Sequence, residues 1–148
     1  MTNTTTVDAA TTSAPPAVTI GDLNHVALTV TDLTVSVPWY ERVLGRAPVL
    51  DENTGPFRHV VFALGSTLLG LHQFPGSINH NAPFDPHRPG LDHVSFGCPD
   101  RITLAAWATR LDQLRIAHGG IVDADYGSGV SFKDPDGLPL EIFCPPNR

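Results

Sequence analysis

Leu23-Asn24-His25-Val26 returns 68 positions later as Leu91-Asp92-His93-Val94, and the same offset carries Asp32 to Asp100 and Trp39 to Trp107. Five identities at one spacing mark an internal duplication, which decides the fold class before any single element is assigned. Both copies set a histidine inside an apolar, strand-like run. Two histidines related by a repeat and facing a shared space are two-thirds of a metal site.

Around the first copy, Val26, Leu28 and Val30 alternate with His25, Ala27 and Thr29, so the histidine belongs to the face opposite the apolar row. A helix is expected over 34–44, with Leu33, Val37, Tyr40 and Leu44 as its stripe. Asp32 or Thr34 can cap it, Gly45 ends it, and Pro38 falls in the first turn after a Thr34 cap. Strands are expected at 47–51, 58–64 and 67–74. The second copy repeats the plan with a strand at 91–98 and a helix at 101–116, capped by Asp100 and closed by Gly119-Gly120. Strands follow at 120–124, 128–133 and 138–144, the last two joined by the turn Asp134-Pro135-Asp136-Gly137.

Each half therefore reads as βαβββ, and one helix cannot cover a four-stranded sheet alone. The expected class is α+β, with two paired βαβββ modules forming a cup-shaped, partly closed mixed sheet around a metal site. Module one spans 22–74, a Pro- and Gly-rich linker 75–90, and module two 91–145, all within one domain over 21–148. Residues 1–20 are rich in Thr and Ala and are expected to form a disordered tail.

Composition removes several function classes. The chain has 148 residues and a net charge of -6 without a Lys/Arg cluster, which argues against a nucleic-acid partner. No apolar run approaches the ~18 residues of a membrane span, and the N-terminal stretch lacks the basic start and apolar core of a secretory signal. A cytoplasmic location is the expectation. Cys98 and Cys144 are expected as buried thiols, as is usual in a cytosolic protein, and a ribbon-type zinc site is excluded because neither has a CxxC partner. Nucleophile elbows, dinucleotide loops and phosphate loops are absent.

The last strand sets Glu141 between Leu140 and Ile142, and a carboxylate there is costly unless something pairs with it. A metal bound by His25, His93 and Glu141 accounts for all three anomalies. Two histidines and one carboxylate leave open positions, as in non-haem Fe(II) oxygenases. His72, in Leu-Leu-Gly-Leu-His-Gln-Phe, has three readings: a fourth ligand, an acid/base beside the metal, or a pocket wall. A pocket role without coordination is the reading preferred here, because sliding back by 68 from Glu141 reaches Gln73, and only an indel brings His72 or Gly70 into place. Tyr126, before Gly127-Ser128-Gly129, is a candidate to line the pocket.

The order and spacing of these motifs resemble the vicinal oxygen chelate superfamily, which includes glyoxalase I, extradiol dioxygenases, fosfomycin-resistance transferases and bleomycin-resistance proteins. The resemblance covers residues 22 to about 145. It rests on Asn24-His25-Val26, Trp39-Tyr40, Val43-Leu44-Gly45, Leu91-Asp92-His93-Val94, Phe132-Lys133-Asp134-Pro135-Asp136-Gly137 and Leu140-Glu141. It implies a divalent metal at His25, His93 and Glu141 that chelates two neighbouring oxygens of a small-molecule substrate. Fe(II) is favoured, with Mn, Ni, Co or Zn as alternatives, and a homodimer is compatible with the family. Glyoxalase I enzymes usually carry Glu or Gln in the fourth strand, where this chain has Gly70 or His72. The expected function is therefore a small metal-dependent enzyme, most like a dioxygenase. The alternatives are a drug- or natural-product-binding protein and a glyoxalase- or epimerase-type lyase or isomerase.

Overall fold

Asp32 and Asp100 start the two helices, their carboxylates accepting the backbone N–H of Thr34 at 2.8 Å and of Thr103 at 2.7 Å. Each satisfies a donor that has no partner inside the helix. The computed structural model describes residues 19–76 and 84–146. The expected tail lies outside these residues up to position 18, as does the stretch 77–83 of the connector with His80. Ten elements follow one another: β1 (His25–Thr29), α1 (Leu33–Leu44), β2 (Leu50–Asn53), β3 (Arg58–Leu64), β4 (Thr67–Gln73), β5 (Val94–Gly97), α2 (Arg101–Gln113), β6 (His118–Ala124), β7 (Gly127–Lys133) and β8 (Pro139–Cys144). They form two four-stranded sheets, ordered β1-β4-β3-β2 and β5-β8-β7-β6, which do not close into a barrel. The outer pairs β1–β4 and β5–β8 are parallel and the others antiparallel, so each sheet is mixed.

Two helix boundaries differ from expectation. Of the two caps expected, Asp32 is the one used, so α1 starts at Leu33 and Pro38 lies beyond the first turn, inside the helix. The ring there removes the N–H that the Thr34 carbonyl would otherwise accept. Helix α2 ends at Gln113 with Leu114 as its C-cap, and Arg115 takes the left-handed conformation (φ 57°) that a glycine was expected to supply. Gly119 and Gly120 belong to β6, at a register shift between His118 and Ile121. That bulge accounts for a glycine pair that reads, in sequence, as a helix stop.

The helix-side rows of both sheets merge into one core. Leu28, Val30, Leu69 and Leu71 of module one join Val130, Phe132, Leu140 and Ile142 of module two, and all are almost fully buried. Helix α1 bridges the modules. The Tyr40 hydroxyl donates to Asp134 Oδ2 at 3.0 Å, and the Trp39 ring lies 6.3 Å from that of Phe132. From the other side, the Arg110 guanidinium donates to the backbone oxygens of Arg42 and Val43. Asp134 Oδ1 accepts from the backbone N–H of Asp136 and Leu138, which fixes the turn, and Asp136 in turn accepts from Thr31 N–H at 3.0 Å. Cys98 and Cys144 are buried free thiols, as expected. Among the described residues no helix is long and apolar enough to cross a membrane.

Burial raises the Asp134 pKa above its ordinary 3.8, against the hydrogen bonds that favour the carboxylate. A raised folded-state value means that this group stabilises fully below the unfolded pKa and loses that contribution as pH rises through the folded one. Relative to Asp134→Asn, the wild type should therefore lose stability as pH climbs above about 4, measured by urea unfolding across pH. Tyr40→Phe should cost about 1–3 kcal/mol, because it leaves a buried carboxylate oxygen without its donor. A variant as stable as wild type would deny the bridge its role.

Candidate metal centre

His25 opens β1 and His93 immediately precedes β5, the outer strands of their sheets, and each is oriented by the residue before it. Asn24 Oδ1 lies 2.9 Å from His25 Nδ1, and Asp92 Oδ1 lies 3.3 Å from His93 Nδ1. An acceptor at Nδ1 selects the tautomer that leaves Nε2 with its lone pair, the arrangement typical of metal-binding histidines. Asn24 and Asp92 differ between the two copies of the repeat but do the same work. Their role was legible in the sequence only as the one changed position inside an otherwise identical phrase.

The second half of the site is already assembled. Glu141 Oε2 accepts from Ser95 Oγ at 2.8 Å and lies 3.7 Å from His93 Nε2. That separation is slightly wider than the roughly 3–3.5 Å edge of a coordination shell with ~2.1 Å bonds. Glu141 reaches this place because Gly129, on β7, has no side chain. A Cβ there would stand 2.5 Å from Glu141 Oε1. Tyr126 lies at the turn before β7, largely exposed, and stacks on Phe143 with 6.3 Å between ring centres.

The first half is different. Strand pairing sets Ala27 opposite Gly70, and Ser95 opposite Glu141. Ala27 and Ser95 are 68 apart, so Gly70 is the counterpart of Glu141 and His72 the counterpart of Phe143. The offset between the modules has grown from 68 to 71 by these strands, a slippage that sequence alone leaves undetermined. His72 nevertheless turns its ring back over Gly70, with Nε2 3.3 Å from where a Gly70 Cβ would be. Its imidazole stacks on Phe57 at 4.7 Å and meets His59 edge-on at 5.4 Å. Burial, then the charges of His59 and His25, lower the His72 pKa and favour the neutral ring. His59 itself lies 3.3 Å from Glu52, a partner that the sequence did not reveal.

The three expected ligands thus separate within one chain: His93 stands with Glu141, and His25 stands apart, on the side of His72. Among the described residues no three His, Cys, Asp or Glu side chains are placed to hold a metal ion in a single chain. The reason is the packing. The modules join through their helix-side rows, so the faces carrying the histidines point away from the shared core. His25, Ala27 and Thr29 on β1, with Ser95 and Gly97 on β5, are all exposed. A cavity of about 420 Å³ between the modules is lined by Val26, Leu69, Val94, Phe96, Trp107 and Ile142, among others, and by none of the expected ligands.

Comparison with known proteins settles the family. Residues 22–142 match the model of the Glyoxalase/Bleomycin resistance protein/Dioxygenase superfamily. The chain belongs to that superfamily. It is 28% identical to the Escherichia coli K12 protein YaeR over 132 residues, spanning 82% of this chain and 94% of YaeR. A glyoxylase/bleomycin resistance protein/dioxygenase domain from Frankia sp. EAN1pec shares 26% identity with a TM-score of 0.77, covering 86% of this chain and 100% of that domain. Lactoylglutathione lyase from Agrobacterium tumefaciens superposes with a TM-score of 0.66 at 23% identity, over 85% of this chain and 95% of the lyase, a likeness of fold.

Gly129→Ala tests the cradle. The Cβ meets the far end of a flexible side chain, so stability should stay within about 1 kcal/mol of wild type. The Glu141 carboxylate should swing away from Ser95, a displacement visible in a crystal structure. A carboxylate still held by Ser95 would show that the open space at Gly129 does not set its position.

Proposed function

We propose that the protein is a metal-dependent enzyme of this superfamily, with a divalent ion held by His25 Nε2, His93 Nε2 and Glu141. The observation that carries this is the matched orientation of the two histidines, each with Nδ1 engaged and Nε2 left open. Neutral imidazole and carboxylate suit Fe(II), Mn, Co, Ni or Zn alike. Because the two donor groups sit on faces that one chain cannot bring together, the centre is composite: His25 from one copy meets His93 and Glu141 of another in a homodimer. Both histidines flank outer strands with a free edge, and a twofold pairing of such edges closes two equivalent sites at once.

The bound ion would supply Lewis-acid stabilisation to two neighbouring oxygens of a small-molecule substrate. The protein's part is orientation and exclusion of water. Asn24 and Asp92 fix the histidine rings, Ser95 holds the Glu141 carboxylate, and Phe57, Phe143 and Tyr126 wall the space around them. His72 contributes a neutral imidazole at the edge of the same space. Gly70, in the place of a fourth-strand Glu or Gln, would by itself leave room beside the metal for molecular oxygen, as a dioxygenase needs. The His72 ring fills that room, so we favour a lyase- or isomerase-type reaction without oxygen, and keep ring cleavage as the second reading. Oxygen uptake with catechol-type substrates would reverse this preference. Retention of the full donor set argues against a purely sequestering protein, and the site of action is taken to be the cytoplasm.

Complementation tests the composite centre. His25→Ala and Glu141→Ala homodimers should each lose stoichiometric Co(II) binding. In a mixed dimer, one site combines the intact halves of the two variants, so about half of wild-type binding should return. A site built within a single chain would give no recovery on mixing.

A further inference from the structure

The space over Gly70 is filled in an unusual way, and that arrangement has a chemical consequence. Gly70 is the register counterpart of Glu141, so a glutamate at this position would project toward the same centre from the other module. A glutamate places its carboxylate oxygens roughly 3–4 Å from its own Cβ, by ordinary covalent geometry. His72 Nε2 stands 3.3 Å from the Gly70 Cβ position. It therefore occupies the volume that the missing carboxylate would reach. The nitrogen is presented by a ring clamped against Phe57 at 4.7 Å and 25° between planes, and bounded on its edge by His59. Gly70 is also required for this placement. Even an alanine would crowd Nε2 at 3.3 Å, while its other close side-chain neighbour, Ala27 Cβ, lies at 3.6 Å.

We infer that His72 is the fourth protein donor of the metal centre, reaching over Gly70 from two residues further along β4 to complete a set of three imidazoles and one carboxylate. The inference rests on the metal reading above and sharpens it. Four protein donors on a six-coordinate ion leave two positions. Two positions would suffice to chelate neighbouring oxygens of one substrate, and would leave none for molecular oxygen.

The test uses the full-length chain and Co(II), whose visible absorption reports the number and type of its donors. His72→Ala should weaken Co(II) affinity by at least ~10-fold, since even the loss of an outer partner of a ligand costs 10–100-fold. Its absorption spectrum should also change. The double variant Gly70→Glu/His72→Ala should regain affinity, because the new carboxylate grows into the volume that the imidazole vacated. Equal affinity and an unchanged spectrum in His72→Ala would overturn the inference. A loss that the double variant does not recover would overturn it too, since a merely structural role for His72 predicts that result. His25→Ala separates the two levels of argument. If wild type binds Co(II) and His25→Ala does not, the centre stands and the His72 results decide the fourth donor. If wild type fails to bind Co(II), both readings fall together.

Discussion

The buried Asp134 carboxylate is the joint on which the arrangement of the two modules depends. One oxygen accepts the Tyr40 hydroxyl of the first helix, and the other gathers the N–H groups of Asp136 and Leu138 in the turn before the last strand. Without it, a buried hydroxyl and two turn amides would lose their acceptor together, and each unmet group costs more than a formed bond contributes. Asp136 extends the same joint to Thr31, and Arg110 fastens the second helix to the end of the first. Polar contacts of this kind fix direction where the apolar core alone would tolerate sliding.

What the joint fixes is which faces of the sheets meet. Tyr40 and Trp39 lie on the helix side of module one, and Phe132 lies on the helix side of module two, so the shared core forms between those rows. The opposite faces are left to solvent within one chain. A mixed sheet tolerates one solvated face readily, and here that face carries every candidate metal donor. The separation of His25 from His93 is thus a product of the same contacts that make the core continuous.

The sequence carried the elements and the parity of nearly every strand, because the period-two rows and the repeated phrase are local signals. It placed Asp100 as a cap and the Asp-Pro-Asp-Gly turn correctly for the same reason. It did not show that Arg115, with no glycine signature, ends a helix, or that Gly119-Gly120 belong to a bulge. The larger gap concerned the site. Which residue of β4 stands opposite Ala27 depends on loop lengths that shift the offset from 68 to 71, and periodicity cannot register such a slip. The choice of joined faces was equally hidden, since it rests on a tyrosine hydroxyl meeting a carboxylate 94 positions away.

The two modules have diverged in a way that makes physical sense at the proposed composite centre. In module two, glycine at 129 lets the Glu141 carboxylate lean across to a neighbouring strand. In module one, glycine at 70 lets an imidazole lean back along its own strand. Both devices remove a Cβ so that a polar group from a nearby position can stand where a local side chain would have been. The charge that results differs: a carboxylate lowers the net charge of a divalent centre, whereas a neutral imidazole does not. With three imidazoles and one carboxylate, the proposed centre would keep a single positive charge from a divalent ion, and so would retain its pull on an anionic pair of substrate oxygens.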